Sequence, residues 1–128
     1  MRVTYNKLVR DRIPEIIEAD GHRAVTRVLA EREYQGALLA KLVEEAREAE
    51  SAPADELPGE LADVWEVLQD LLRVLTMTAS ELEELAAVKR GKRGGFGGRV
   101  FLEYTEPSSS DAEPARVLGA RARETSRG

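Results

Sequence analysis

The stretches EREYQGALLAKLVEEAREAE at residues 31–50 and PGELADVWEVLQDLLRVLTMT at residues 58–78 decide the fold of this chain. Their apolar residues recur at the three- and four-residue spacing of an amphipathic helix, and both are rich in good helix formers. We therefore predict two long helices. The connection contains Pro53 and runs into Pro58, which interrupt helix, so the chain is expected to reverse and the helices to pack antiparallel.

Each predicted helix carries an acidic cluster at the border of its apolar stripe, EEARE at residues 44–48 and ELAD at residues 60–63. At about 100° per residue, Glu45 and Glu60 border the apolar faces. Glu48 and Asp63 lie about 60° further out on the same sides. In an antiparallel pair of helices both acidic flanks can face one cleft.

Four carboxylates in one cleft repel one another by about 3 kcal/mol per pair at about 5 Å, if the effective dielectric constant is near 20. The arrangement therefore needs a cation or generous hydration. Oxygen ligands favour Mg²⁺, Mn²⁺ or Ca²⁺ over zinc or copper, which points to phosphate chemistry. The competing interpretation is an ordinary solvated, glutamate-rich helix surface.

Composition limits the classes of protein that the chain can belong to. Its 128 residues, 42% of them hydrophobic, suffice for one compact domain. The chain has no cysteine, which excludes disulfides and thiolate zinc sites, and its single histidine, His22, argues against a histidine-based triad. A net charge of −5 argues against general nucleic-acid binding, and no apolar run approaches a membrane span. We expect a cytoplasmic protein with no membrane partner.

The segments before and after the two long helices predict shorter elements. A short helix is predicted from Pro14 towards Asp20, and residues 22–29 fit either a short strand or an extended linker. Ser80 and Glu83 have the spacing of a capping box and predict a third helix through about residue 88.

The last part of the chain is predicted to contain little regular structure. A flexible basic loop is expected at residues 91–98, followed by a short strand at residues 100–104 that pairs with the segment near Val25. The composition beyond Thr105 is typical of a disordered tail. We therefore predict a mainly α helical-bundle domain at residues 1–104 and a flexible tail at residues 105–128.

Four motifs carry a family resemblance: YNKLVRDRIPEII at residues 5–17, EExxE at 44–48, ExxD at 60–63 and RGGF at 93–96. Together they resemble the phosphoribosyl-ATP pyrophosphohydrolase-like branch of the all-α NTP pyrophosphatases, the MazG-like superfamily. The resemblance spans roughly residues 1–103. The connection between the acidic motifs is at the short end for this family.

The resemblance implies an enzyme that cleaves a nucleotide between its α- and β-phosphates, releasing a monophosphate and pyrophosphate with Mg²⁺, for which Mn²⁺ could substitute. The implied metal ligands are Glu45, Glu48, Glu60 and Asp63. Glu48 or Glu44 would activate the attacking water, and Glu44 could instead hydrogen-bond a water on the metal. The family also forms oligomers, which implies a homodimer or dimer of dimers. Phosphoribosyl-ATP and damaged or surplus nucleoside triphosphates both remain open as substrates.

Three basic residues are candidates for contact with substrate phosphates. Lys41 lies between the acidic side chains, and Lys89 and Arg93 adjoin the predicted basic loop. The alternative for Lys41 is an ordinary helix ion pair with Glu45 four residues later, worth about 0.3 to 0.5 kcal/mol. Trp65, in the leucine stripe, is predicted to lie in the core, with stacking on a base as the alternative.

Two non-enzymatic functions compete with this interpretation. Residues 93–99, RGGFGGR, resemble one unit of an arginine-glycine-glycine RNA-binding segment. The chain could also be a purely structural helical interaction module whose acidic strips are only solvated.

Overall fold

The computed structural model describes residues 1–108, which form four helices. The helices are α1 (Ile13–Ala19), α2 (Glu31–Ser51), α3 (Leu57–Val74) and α4 (Ala79–Arg93). No strand forms in this part of the chain, so the predicted mainly α class is confirmed and the predicted β pairing of residues 100–104 is wrong. Residues 22–29 form a linker without regular structure. Most of the predicted tail, residues 109–128, lies outside the described residues.

Prolines fix the end of α2 and the start of α3. Ala52, immediately before Pro53, has φ −72° and ψ 143°, an extended conformation. The ring of Pro53 disfavours helical geometry at the preceding residue, so α2 cannot continue past Ser51. Pro58 lies in the first turn of α3, where a backbone N–H has no helical partner to lose.

α3 ends at Val74 instead of continuing to residue 78. Thr76 adopts a left-handed conformation with φ 55°. Its N–H donates to the Arg73 carbonyl at 3.1 Å, and the Met77 N–H donates to the Leu72 carbonyl at 2.8 Å. These two bonds form a Schellman motif, in which glycine usually occupies the left-handed position. The threonine in that position gave no sequence signal for a helix end.

Thr78 caps the start of α4. Its Oγ1 accepts a hydrogen bond from the Glu81 N–H at 3.1 Å, and its N–H donates to Glu81 Oε1 at 3.2 Å. This reciprocal pair is a capping box, so the predicted box of Ser80 and Glu83 is wrong by two residues. α4 also continues through Arg93, so the predicted loop from residue 91 begins only at Gly94, where φ is 80°.

α2 and α3 form a helical hairpin, and the core lies between them. Leu38, in the middle of α2, clusters with Val67 and Leu71, in the second half of α3. The acidic residue Glu45, near the end of α2, instead meets Glu60 near the start of α3. This order of contacts is that of an antiparallel pair, as predicted.

Each helix of the hairpin also has an apolar stripe that the core does not cover. Leu39 and Val43 on α2 and Leu61 and Trp65 on α3 are all about half exposed. The prediction that Trp65 lies in the core is therefore wrong. None of the helices in residues 1–108 is long and apolar enough to cross a membrane.

The described residues fall into two units, residues 1–89 and a second unit that begins at Arg90. The first unit contains the helical hairpin and all the acidic residues of the two motifs. In the described part of the second unit, α4 ends at Arg93 and a turn follows in which the Arg99 N–H donates to the Phe96 carbonyl at 3.1 Å. The predicted domain boundary at residue 104 stays a prediction.

Candidate metal centre

Three carboxylates from two helices converge on one point of the hairpin. Glu45 comes from α2, and Glu60 and Asp63 come from the first turns of α3. One oxygen of each lies within 4.8 Å of an oxygen of the other two. Residues three apart share one face of a helix, so the ExxD spacing brings both α3 carboxylates to the same side. We call these three residues the acid triad.

The acid triad is partly buried, unlike a solvated glutamate strip. Glu45 is 7% exposed, and Glu60 and Asp63 are of intermediate exposure. Oε2 of Glu45 and Oε2 of Glu60 are buried and make no hydrogen bond with the described residues. A buried carboxylate oxygen without a partner loses its hydration with no compensation. These two oxygens therefore have the capacity to bind a cation.

Both glutamates of the acid triad resist ionisation. Burial raises the pKa of Glu45, and the carboxylate of Glu48 raises it further, against a smaller opposing effect from Lys41. Loss of hydration likewise raises the pKa of Glu60, with further contributions from Glu48 and Asp63. Mutual repulsion of this kind is what a bound cation would relieve.

Glu48, the fourth predicted ligand, lies beside the acid triad. It is exposed, and its carboxylate is near enough to Glu60 to raise the pKa of Glu60. The structure thus brings three of the four predicted ligands into one group and places the fourth at its solvent side.

Glu44 is held by two lysines and not by the acid triad. Lys7 Nζ donates to Glu44 Oε1 at 2.7 Å, and Lys41 Nζ donates to Glu44 Oε2 at 3.3 Å. The hydrogen bond from Lys7, followed by the contacts with Lys41, lowers the pKa of Glu44 below its usual value. A carboxylate with a lowered pKa is a weaker proton acceptor, which disfavours Glu44 as the group that activates water.

Lys41 forms an ion pair with Glu45, four residues later on the same helix, which is the alternative that the sequence analysis gave for it. Its Nζ lies 3.4 Å from Glu45 Oε1 and 3.3 Å from Glu44 Oε2. Lys89 and Arg93 are both exposed and lie near the end of α4. Phosphate contact by any of these three residues stays a prediction.

Arg10 and Lys7 are the site residues that the sequence argument did not identify individually. Arg10 Nη2 donates to Asp63 Oδ1 at 2.7 Å, which pairs a residue before α1 with a member of the acid triad. Both belong to the basic residues of the N-terminal segment, Arg2, Lys7, Arg10 and Arg12. Their shared position in the YNKLVRD motif, residues 5–11, is the one sequence signal for them. They lie far along the chain from the acids that they contact.

Comparison with known proteins adds one partial similarity. An uncharacterized protein of Mycolicibacterium smegmatis is 54% identical over 46 residues, which cover 36% of this chain and 47% of that protein. The aligned part therefore spans about half the length of the relative, whose description states no activity. No family model and no solved structure matches the chain.

Proposed function

We propose that this protein is a Mg²⁺-dependent nucleotide pyrophosphohydrolase that cleaves a nucleoside triphosphate, or a phosphoribosyl-ATP-like substrate, between the α- and β-phosphates. The observation that carries the proposal is the acid triad, with its two buried carboxylate oxygens that lack hydrogen-bond partners. The resemblance of the motifs to the MazG-like superfamily supports the same reaction. The predicted cytoplasmic location stays a prediction.

The donor set fits a hard divalent cation. All three members of the acid triad offer carboxylate oxygens, the ligands that Mg²⁺ and Mn²⁺ prefer, and the set lacks the sulfur and imidazole donors that favour zinc. Glu45, Glu60 and Asp63 would hold the ion, with Glu48 at hand on the solvent side. Such an ion neutralises the oxygens of a phosphoanhydride and thereby lowers the barrier to attack by water.

Glu48 is the better choice for accepting a proton from the attacking water. It is exposed, so a water molecule can reach its carboxylate, and it lies beside Glu60. Glu44, the other candidate, is occupied by Lys7 and Lys41. The proton taken up by Glu48 would pass to solvent after the monophosphate and pyrophosphate leave.

Burial of the acid triad favours the enzyme over the two non-enzymatic alternatives. A solvated acidic strip would keep its carboxylate oxygens in water, whereas Oε2 of Glu45 and Oε2 of Glu60 are buried. An RNA-binding or purely structural role gives no reason to maintain that unfavourable arrangement.

A panel of nucleoside triphosphates, incubated with the protein and Mg²⁺, tests the proposal. Cleavage between the α- and β-phosphates yields inorganic phosphate only when pyrophosphatase is added, whereas loss of the γ-phosphate yields it directly. We expect phosphate only with both Mg²⁺ and added pyrophosphatase. Direct phosphate release, or none with any nucleotide, would contradict the proposal, and gel shift of single-stranded RNA without hydrolysis would favour the RNA-binding alternative.

Asp63→Asn gives the matching test of the site. The variant should lose activity by about 100-fold or more, because one charged ligand is removed, while its melting temperature is retained. Asp70→Asn, the same change about two turns further along α3, is the control and should keep its activity. Equal activity of the two variants would remove Asp63 from the ligand set.

We also propose a second copy of this chain as the partner of the half-exposed apolar stripes on α2 and α3. The four large side chains of these stripes follow the four-residue spacing on both helices of the hairpin. Helical hairpins with a second apolar side commonly bury it against another hairpin to complete a bundle. A homodimer or dimer of dimers would do so here.

A further inference from the structure

The segment before α1 contacts the hairpin through Leu8 and through two ion pairs. Leu8 packs against the core cluster of Leu38, Val67 and Leu71. On either side of Leu8, Lys7 pairs with Glu44 and Arg10 pairs with Asp63, each at 2.7 Å. Two cations of one segment thus lie against the acidic motifs of two different helices.

Of these two ion pairs, the pair of Arg10 with Asp63 involves a member of the acid triad and the pair of Lys7 with Glu44 does not. Glu44, the partner of Lys7, is outside the acid triad, so its pair does not compete with a metal. Asp63, the partner of Arg10, belongs to the triad, and a carboxylate oxygen cannot serve a guanidinium and a metal ion equally well. A divalent ion at Asp63 would therefore compete with Arg10 for this carboxylate, whereas Lys7 and Leu8 would keep their contacts with the hairpin.

Arg10 has room to change partners. Its side chain is 56% exposed and that of Asp63 is 37% exposed, so the pair is accessible to water on both sides. Exposed ion pairs contribute little stability, which means that a competing ion meets little resistance. The hydrogen bond with Asp63 raises the pKa of Arg10, and the carboxylates of Glu66 and Glu45 raise it further, so Arg10 lies in the field of two members of the acid triad.

We propose that Arg10 exchanges partners during binding: it neutralises Asp63 in the metal-free chain and binds a phosphate of the nucleotide when a divalent ion takes Asp63. This inference rests on the proposed function and adds a substrate-binding residue to it. A guanidinium is suited to the second partner because its planar N–H groups match the oxygens of a phosphate as they match those of a carboxylate. The guanidinium that the ion displaces from Asp63 is then free to bind a phosphate of the substrate.

The exchange makes two predictions of opposite sign for Arg10→Gln. Without nucleotide, the variant should bind Mn²⁺ about threefold to fivefold more tightly, because a competing cation is gone. In the presence of saturating Mn²⁺, it should bind inorganic triphosphate about tenfold more weakly, because a charge-assisted contact is lost. Both affinities are measured on the full chain by isothermal titration calorimetry, and triphosphate without a base isolates the phosphate contacts.

Arg12→Gln is the matched control. It removes the same charge two residues away, where Arg12 is 88% exposed and its ion-pair partner is Glu15 at 3.9 Å. Both affinities of this variant should stay within about twofold of wild type, since only distant, screened electrostatics change. Arg10→Lys is a second variant that keeps the charge; it should bind Mn²⁺ like the wild type but triphosphate more weakly, because lysine lacks the planar fork.

The outcomes separate this inference from the proposed function. Opposite shifts in Arg10→Gln support the exchange, whereas a variant that matches Arg12→Gln, or that weakens both affinities together, overturns it. A wild-type chain that binds no Mn²⁺ overturns the metal site and the exchange with it. Wild-type hydrolysis with unchanged affinities in Arg10→Gln overturns only the exchange.

Discussion

Glu44 and Glu45 are neighbours in sequence, yet their carboxylates lie in opposite electrostatic environments. Glu44 receives hydrogen bonds from Lys7 and Lys41, and its pKa is lowered. Glu45 points into the hairpin, and burial raises its pKa above the usual 4.5. The difference arises because a step of about 100° around the helix axis moves a side chain from the side that faces Lys7 to the side that faces α3.

The sign of each shift determines its effect on stability. A carboxyl with a raised pKa binds its proton more tightly in the folded chain, so stability falls as the pH rises from about 4.5 through the folded pKa. Glu45 and Glu60 belong to this class. Glu44 has a lowered pKa, so its contribution is present above about pH 4.5 and is lost as the pH falls through the folded value.

Glu45→Gln should therefore stabilise the metal-free protein at neutral pH, by about 1 kcal/mol, because it removes an ionised group with an unpaired buried oxygen. The advantage over wild type should shrink as the pH falls through the folded pKa of Glu45, and it should be gone below about pH 4.5, where Glu45 is protonated in both states. The measurement is the free energy of unfolding by urea across this pH range, in a chelator. Glu50→Gln, at an exposed position of the same helix, is the control, and a stability difference that does not depend on pH would show that Glu45 is not the titrating group.

The sequence predicted the acids that meet across the hairpin but not the cations that face them. Helical periodicity is local, so it fixes the directions of Glu45, Glu60 and Asp63 once two antiparallel helices are assumed. The pairs Lys7 with Glu44 and Arg10 with Asp63 join residues 37 and 53 positions apart. Their formation depends on how the N-terminal segment docks through Leu8, which no periodic pattern encodes.

Among the elements, the helix positions and the two ends set by proline were predictable, whereas the end of α3 and the start of α4 were not. The S/T-x-x-E spacing of a capping box occurs twice around the start of α4, at Thr78 with Glu81 and at Ser80 with Glu83, and the chain uses the first. The sequence offers both because the signal is only two residues long. The choice follows from the end of α3, since the left-handed Thr76 redirects the backbone just before Thr78.

Thr78→Ala should destabilise the protein by about 1 kcal/mol, because the Glu81 N–H loses its acceptor at the start of α4. Ser80→Ala is a control of matched chemistry, and its effect should be within about 0.5 kcal/mol, as for an ordinary exposed helix position. Urea unfolding monitored by circular dichroism gives both values. If Ser80→Ala proved the more costly change, α4 would have to begin at the later box.

At the scale of the whole molecule, a small core coexists with much exposed apolar surface. Only Leu38, Val67, Leu71 and Leu72 are buried hydrophobic residues in the part of the chain that the structure describes. Large residues that remain half exposed on both helices of one hairpin are typical of a surface that is covered by a partner. The number of apolar residues was sufficient to predict a core. Which side of α3 faces that core depends on how many helices pack around α3, and the apolar pattern of one helix does not encode this.

We expect a second copy of the chain to cover the half-exposed apolar stripes of α2 and α3. Sedimentation equilibrium should give twice the mass of one chain or more, and Val43→Glu should shift the protein to the monomer, because a charge placed in an apolar interface is costly to bury. Val25→Glu, the same substitution in the exposed linker before α2, should leave the assembly unchanged. A monomeric wild type at all concentrations would contradict the proposed assembly.

The acid triad draws its members from both arms of the hairpin, and this has a mechanical consequence. An ion held by Glu45 together with Glu60 and Asp63 would clamp the arms where the chain turns, enclosing residues 46–59 in a closed loop. The clamp would be reversible, because its strength follows the free concentration of the ion by mass action. Separation of the two arms at that end of the molecule would then become harder or easier as magnesium is supplied or withdrawn.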